Sequence, residues 1–438
     1  MQTNHSYPLK TNLKLIVLEL KYLFNSKALI YVLIIISSLL LNCSSSKRFT
    51  SEENADDTRN IENIKTNVSS IRILLDEKPV VHHVIIESDA LLFAEENKLS
   101  EIPKGTDLQF FIEADRLFLK INDKEYKGDY FQLIPTDGRV LFYNQKSYKG
   151  IIRVVPFGNY IDIINFVDIE NYLKGVIARE MPLGNGNENF EALKAFAICA
   201  RTYALKKINN GNSLFDIFAD TRDQVYGGEF AEQSLSNKAV DETEGIILLY
   251  NNEPATVYYH STCGGVSESV ENVFPQLPLP YLISIKDGID PYCKISPLYE
   301  WEEVYSESQL IDQLYTVGLI DKKSYSIEEI KVLSRFESGR VHDLRILLSG
   351  RDGRRELHLY GNDIRYKIRT QKNNRMLWST LFTIERKSDG DFVFNGKGYG
   401  HGVGLCQWGA IGQSQNGIDY KRILGHYFPG TELGRVND

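Results

Sequence analysis

The chain has 438 residues, 42% of them hydrophobic and 25% charged, with a formal net charge of −8. That composition is globular rather than disordered, and the length exceeds one average domain. The negative balance gives a nucleic-acid partner no electrostatic support, and no like-charge block is long enough to act as an interaction tail.

Lys10, Lys14, Lys21 and Lys27 precede an apolar run from Ala28 to Leu41, after which come Asn42 and Cys43. The run is short for a membrane span and suits the core of a signal peptide. A core that ends on a cysteine followed by Ser44, Ser45 and Ser46 resembles a bacterial lipoprotein signal, with Cys43 as the lipidated residue. Asn42 departs from the small residue usual there and the region ahead of the core is long, so an uncleaved signal anchor is the alternative. Either way, residues 1–43 are expected to target the rest of the chain outside the cytoplasm, tethered to a membrane. Residues 44–69 are polar and read as a flexible linker.

From Ile71 to about Val167 the pattern is β. Runs such as IRILL, HHVIIES, LQFFIEA, RLFLKI, RVLFYN, IIRVVPF and YIDIINFV are separated by Gly, Asp, Asn and Lys turns. Two helices follow. Asp168 is a good N-cap, Glu170 sits in the positive first turn, and Pro182 pushes Met181 out of helical geometry. Ile169, Tyr172, Leu173, Val176 and Ile177 follow the spacing of a buried stripe, and at about 100° per residue Glu180 is the next position on it. Apolar neighbours and the negative helix end both favour the protonated acid, the state a general acid needs. The plain alternative is a frayed last turn with Glu180 in water. The second helix starts near Asn189, is rich in alanine, and stops at Asn209-Asn210-Gly211.

Further on, a helix end and the strand GIILLY occupy 238–250, and the strand ATVYYH runs into Ser261-Thr262-Cys263-Gly264-Gly265. Residues 274–300 are loop-like. Residues 302–390 read as a smaller inserted α+β unit, with helices through SQLIDQLYTVGL and SIEEIKVL and strands DLRILLSG, RELHLYG and LFTIERK. The closing segment FNGKGYGHGVGLCQWGA carries Gly398, Gly400, Gly402 and Gly404 at alternate positions. Alternate glycines strip one face of an extended segment, so a backbone or a ligand can come close. It is not a phosphate cradle, for no GK[ST] follows. A polar turn and a short helix YKRILGHYF end the chain.

Cys199 lies inside the alanine-rich helix, where a buried structural thiol is expected. Cys263 and Cys293 are the plausible pair for oxidation in an exported protein. His260 and Cys263, with Cys293 downstream, would need a fourth ligand to hold zinc. His401 or Asp290 qualify, but the spacing selects neither. No metal and no cofactor is expected.

VDIENYLKGVIAREMP, EALKAFAICARTYAL, YHSTCGGVSESVENVF, GKGYGHGVGLCQWGA and ILGHYFPGTEL occur in one order. Together they resemble the stage II sporulation protein D family, which includes amidase enhancers of the LytB type. The resemblance spans about Ile71 to Arg435 and implies an α+β fold, with short strands around a central helix pair in a peptidoglycan-acting domain over 70–438. It implies a lytic transglycosylase in which Glu180 of AREMP is the catalytic acid and base. His260, Ser261, Gly264 and Gly265, with Gly400, His401, Gln407 and Trp408, are then expected to line a saccharide groove. Arg201 and Tyr203 are expected to orient the acid or brace the helix.

Five residues depart from the family pattern: Phe196 for Gln, Cys406 for Ser, Arg222-Asp223 for a small residue or Cys, and Leu298 for a frequent His. The last weakens a metal site further. None touches Glu180, but they bear on substrate contacts. The second function implied is a non-catalytic cell-wall binder that assists a peptidoglycan amidase. A tethered scaffold would leave the glycine-histidine segment without a purpose.

Overall fold

The computed structural model describes residues 62–65, 70–136, 140–208 and 214–437. The targeting segment, Cys43, most of the linker and the expected stop at Asn209-Asn210-Gly211 lie outside the described residues. Among the described residues no helix is long and apolar enough to cross a membrane. The fold is mixed α+β, with many short strands and few helices.

A seven-stranded sheet carries the site. In chain order its strands are β1 (Ser70–Pro79), β2 (Ala90–Ala94), β3 (Asn97–Ile102), β4 (Phe131–Pro135), β5 (Ile151–Phe157), β6 (Tyr160–Asp168) and β7 (Ile217–Phe218). Their spatial order is β7-β1-β6-β5-β4-β2-β3. β6 is central, antiparallel to both neighbours, with Phe157 opposite Tyr160 at the hairpin and Ile71 opposite Val167 at the far end. It is buried from Ile161 to Asn165 because both faces are covered. Ile161 and Ile163 enter the main core. Ile164, beyond a bulge, packs with Leu74 and Val155 on the other side. The strands Val81–Ile85, Asp107–Glu113, Arg116–Ile121 and Lys124–Gly128 form a separate antiparallel sheet.

β6 runs into helix α1 (Ile169–Glu180) without a loop: Asp168 ends the strand and its side chain accepts from the N–H groups of Glu170 and Asn171. The central strand therefore aims the helix. α1 packs against α2 (Phe190–Ile208) and α3 (Ser234–Glu242). Ala192, Ala195, Ala197, Ala200 and Ala204 of α2 are fully buried, and side chains this small let α1, α3 and two later helices close around it.

After β8 (Ile246–Tyr250) and the two-residue β9 (Tyr259–His260), a second lobe begins with β10 (Glu300–Tyr305) and α4 (Glu307–Thr316). Ser306 and Gln309 close a capping box on α4. β11 (Ser326–Arg335), β12 (Val341–Gly350) and β13 (Gly353–Tyr360) form one antiparallel sheet. The short helix α5 (Asp363–Lys367) follows, and β14 (Phe382–Arg386) and β15 (Phe392–Lys397) then complete a second sheet with β10. This lobe has its own core of Trp301, Tyr305, Leu344, Ile346, Leu348 and Phe394. The segment SIEEIKVL, expected as a helix, is β11. Its partner β12 supplies an antiparallel register that runs from Ser326 to Arg335 despite bulges, and this pairing overrides the local helical spacing.

The chain then returns to the first lobe through β16 (Leu405–Cys406), which pairs parallel with β9. It ends in α6 (Gln407–Gln415), α7 (Tyr420–Tyr427) and β17 (Glu432–Asn437). α6 takes in the end of the glycine segment, Gln407 to Ala410, and the start of the stretch expected as a polar turn, although Gly409 and Gly412 lower helix propensity. Burial of Ala410 and Ile411 makes the helix.

Candidate active site

The apolar stripe of α1 is in place: Ile169, Tyr172, Leu173, Val176 and Ile177 are all buried. Glu180 is the last helical residue, half-buried, and Met181 beyond it is extended. Glu180 Oε1 accepts from the Val225 N–H at 2.7 Å. Burial lifts this carboxyl above the ordinary glutamate range, while the Val225 N–H and the Gln407 amide pull the other way without cancelling it.

Val225 reaches the acid because its loop is fixed to α1. Tyr172 donates its hydroxyl to Gln224 Oε1 at 3.0 Å, and Gly227 N–H bonds Gly175 O at 3.0 Å. Gly175 is a helical glycine with a reason. A Cβ there would stand 2.6 Å from the Tyr226 ring and 2.8 Å from Gly228 O. Sequence reasoning passed over Gln224, Val225 and Gly175; a glycine inside the apolar stripe was the available signal.

On the other side of Glu180, Gln407 at the start of α6 donates Nε2 to the Glu180 carbonyl at 2.9 Å. Trp408 N–H bonds Ser261 O at 3.0 Å, which docks α6 on the strand that holds His260. The glycines before it are not one face of a strand. Gly398, Gly400, Gly402 and Gly404 all have φ between 71° and 115°, so the segment winds. A Cβ at Gly404 would meet Tyr258 O at 2.1 Å, and one at Gly398 would meet Thr262 O at 2.6 Å. Close backbone approach is therefore the reason for these glycines, and the backbone that approaches is the chain's own.

Glu180, Tyr203, Ser261, Gly400, His401 and Trp408 keep partial exposure, whereas Arg201, His260, Gly264, Gly265 and Gln407 are buried. Arg201 is 1% exposed and its guanidinium is saturated by both Glu170 oxygens, at 2.7 and 2.6 Å, and by Ile246 O at 3.0 Å. It braces α1 against α2 and cannot touch a sugar. His260 Nδ1 donates to Val403 O at 3.0 Å, and burial holds the ring neutral. Gly264 and Gly265 pack on Lys397 and Pro291. For these residues, and for Gln407, the expectation of lining a groove gives way to holding the site's frame. His401 packs on His260, Phe274 and Tyr258, and its Nδ1 accepts from Val403 N–H at 3.1 Å. Tyr203 donates to Asp223 at 2.6 Å. Phe196, one of the departures, sits edge-on to Tyr259 with ring centroids 4.8 Å apart.

A hydrolase would need a second catalytic carboxylate, but Asp220, Asp223 and Glu268 are all tied up in other contacts. Asp220 is held by Arg222, Asp223 by Tyr203, Lys207 and the Phe218 N–H, and Glu268 by Asn272, Ser338 and the Ser269 N–H. Each is engaged elsewhere, and none contributes to the shift of Glu180.

Cys263 and Cys293 are neighbours but free thiols, with sulfurs 3.4 Å apart. The ligand set weighed from sequence does not assemble: His260 faces Val403, and Asp290 is exposed with Lys294. Cys406 and Asp287 join the two thiols instead, the four ligand atoms lying within 4.8 Å of one another.

With this geometry in hand, the relatives can be placed. Residues 158–250, which include α1, α2 and the Val225 loop, match the family described as Stage II sporulation protein (SpoIID). Residues 278–404, spanning the second lobe, match a family described as Domain of unknown function (DUF8618). The chain is 32% identical over 379 residues to an uncharacterized protein of Brachyspira hyodysenteriae, covering 85% of this chain and 95% of that one. It is 28% identical over 370 residues to the Amidase enhancer of Bacillus subtilis, covering 70% of this chain but 50% of that protein. It is also 28% identical over 288 residues to Stage II sporulation protein D of Bacillus subtilis, covering 62% and 76% of the two chains. The chain belongs to the SpoIID family.

Proposed function

We propose that this protein is a peptidoglycan lytic transglycosylase. Glu180, protonated, donates to the oxygen joining N-acetylmuramic acid to N-acetylglucosamine, and the bond breaks through an oxocarbenium-like state. The muramic C6 hydroxyl then attacks the anomeric carbon, and Glu180, now ionised, takes its proton, leaving a 1,6-anhydro end. One carboxyl serves both steps. A hydrolase would need a second acid to activate water or attack directly.

The observation that carries this reading is the half-buried Glu180 carboxyl, lifted by burial and held by the Val225 N–H, with every other candidate acid engaged elsewhere. Cys43 and the apolar run ahead of it support an exported chain tethered to a membrane and facing the cell wall.

A second reading, a glycan-binding helper of a cell-wall amidase, draws on the name of the Bacillus subtilis relative. Incubating the protein and its Glu180→Gln variant with intact and peptide-stripped glycan strands, with mass spectrometry of the ends, separates the two. Anhydro ends formed only by the unmodified protein are expected. Binding with no new ends would replace the enzyme by the helper.

A further inference from the structure

We propose that Cys263, Asp287, Cys293 and Cys406 form a structural zinc(II) site. The four residues come from three separate segments: the loop after β9, the turn from Asp287 to Cys293, and the N-cap of α6. All four are buried, and their ligand atoms lie within 4.8 Å of one another. Four ligands about 2.0–2.3 Å from a tetrahedral ion stand about 3.5–4 Å from each other, so the cluster needs only a small contraction to close on the metal.

Asp287 lies beside the thiols as a buried acid without a cationic partner. Asp287 is 1% exposed, and its partners are the Tyr427 hydroxyl at 2.5 Å and the Cys293 N–H at 2.7 Å, with no Lys, Arg or His among the described residues. Arg340 is also 1% exposed; its guanidinium bonds the carbonyls of Val266 at 2.8 Å and Cys263 at 2.7 Å and lies in the field of the Glu268 carboxylate. A buried charge without a partner costs several kcal/mol in order of magnitude, about as much as a hydrogen-bonded pair recovers. Zinc bound by three thiolates and one carboxylate has a net charge of −2. The ion would neutralise Asp287 directly, and the negative complex would face the Arg340 guanidinium through the Cys263 peptide.

The surroundings suit thiolates as well. Gly265 N–H points at Cys263 Sγ (3.4 Å), and the N–H groups of Cys263 and Gly409 point at Cys406 Sγ (3.2 and 3.3 Å). Cys406 caps a nine-residue helix, whose positive end favours the ionised sulfur. Gly409 permits this packing, since a Cβ there would stand 2.5 Å from Asp287 Oδ1. Thiolate-rich sets select zinc among the common divalent ions, and four protein ligands leave no open position for chemistry. On binding, each thiol releases its proton to solvent and the ion keeps its oxidation state. The site would pin Cys406 and, through it, Gln407 against the Glu180 carbonyl.

The test uses the full chain purified without chelator. Elemental analysis is expected to give about one zinc per chain. Exchange for cobalt(II) is expected to give the thiolate charge-transfer bands and intense visible bands of a tetrahedral site. Cys293→Ser and Asp287→Asn should lose stoichiometric metal, while Cys199→Ala, whose thiol sits in α2, should keep it. The cobalt spectrum of the unmodified chain decides the matter even if a variant fails to fold. A reduced chain that takes up neither zinc nor cobalt overturns the proposal. So does an intact mass short by two hydrogens that maps to a Cys263–Cys293 disulfide.

Discussion

At the scale of single residues the proposed function rests on Glu180 and on Gln407, which donates to the Glu180 carbonyl. The folded chain raises the Glu180 pKa above 4.5, chiefly by burial, so it binds that proton more tightly than the unfolded chain does. The sign follows: the contribution is fully present below the unfolded pKa and is lost as pH rises through the folded one. Glu180→Gln, which stays neutral and can still accept from Val225, should therefore be more stable than the unmodified protein at about pH 7. The gain should vanish near pH 4. Urea midpoints at the two pH values check this, and a variant less stable at both would contradict the assigned shift. Gln407→Ala removes the donor to the Glu180 carbonyl. A lost hydrogen bond of about 1–1.5 kcal/mol predicts roughly a tenfold drop in kcat with little change in KM. An unchanged kcat would mean that Gln407 does not position the acid. Glu180 was legible in the sequence because helical spacing is local. The Val225 loop and the Gln407 contact were not, because they join residues 45 and 227 positions away.

Elements show where local pattern suffices and where it fails. α1 was readable end to end, since Asp168, the apolar stripe and Pro182 all act within the segment. β11 and α6 were not: pairing with β12 overrides helical spacing in the first, and burial of Ala410 and Ile411 overrides the glycines in the second. Gly175 poses the same contest in miniature. Alanine in a helix gains about 1 kcal/mol over glycine. At position 175, however, the added Cβ meets a ring carbon at 2.6 Å and the Gly228 carbonyl at 2.8 Å, and backbone cannot give way cheaply. Overpacking of this kind costs about 1–3 kcal/mol or more. Gly175→Ala should thus be destabilised despite its better propensity, and it should lose activity as the Val225 loop lifts from α1. Denaturant titration and glycan cleavage measured side by side test both halves. A more stable, fully active variant would show that the loop docks elsewhere.

Among the described residues, the two larger apolar cores, one in each lobe, are joined by polar ties. Arg340, on the turn before β12 of the second lobe, bonds the carbonyls of Cys263 and Val266, and Ser338 bonds Glu268. Arg340→Met strands these two carbonyls, costing about 1–3 kcal/mol each, and unties the lobes. Calorimetry of this variant should resolve two unfolding transitions in place of one; a single transition at the original midpoint would mean that the apolar packing alone couples the cores. The sequence by itself determined the α+β class, the first helix with its acid, and the order of motifs that marks the family. These rest on periodicity, capping and turn chemistry, which act over a few residues. Only the tertiary structure decided that Arg201 is a brace, that the glycine segment winds against the chain's own backbone, and that three cysteines and Asp287 meet. Those outcomes depend on which distant segments pack together, and burial, rather than residue type, then assigns each side chain its role.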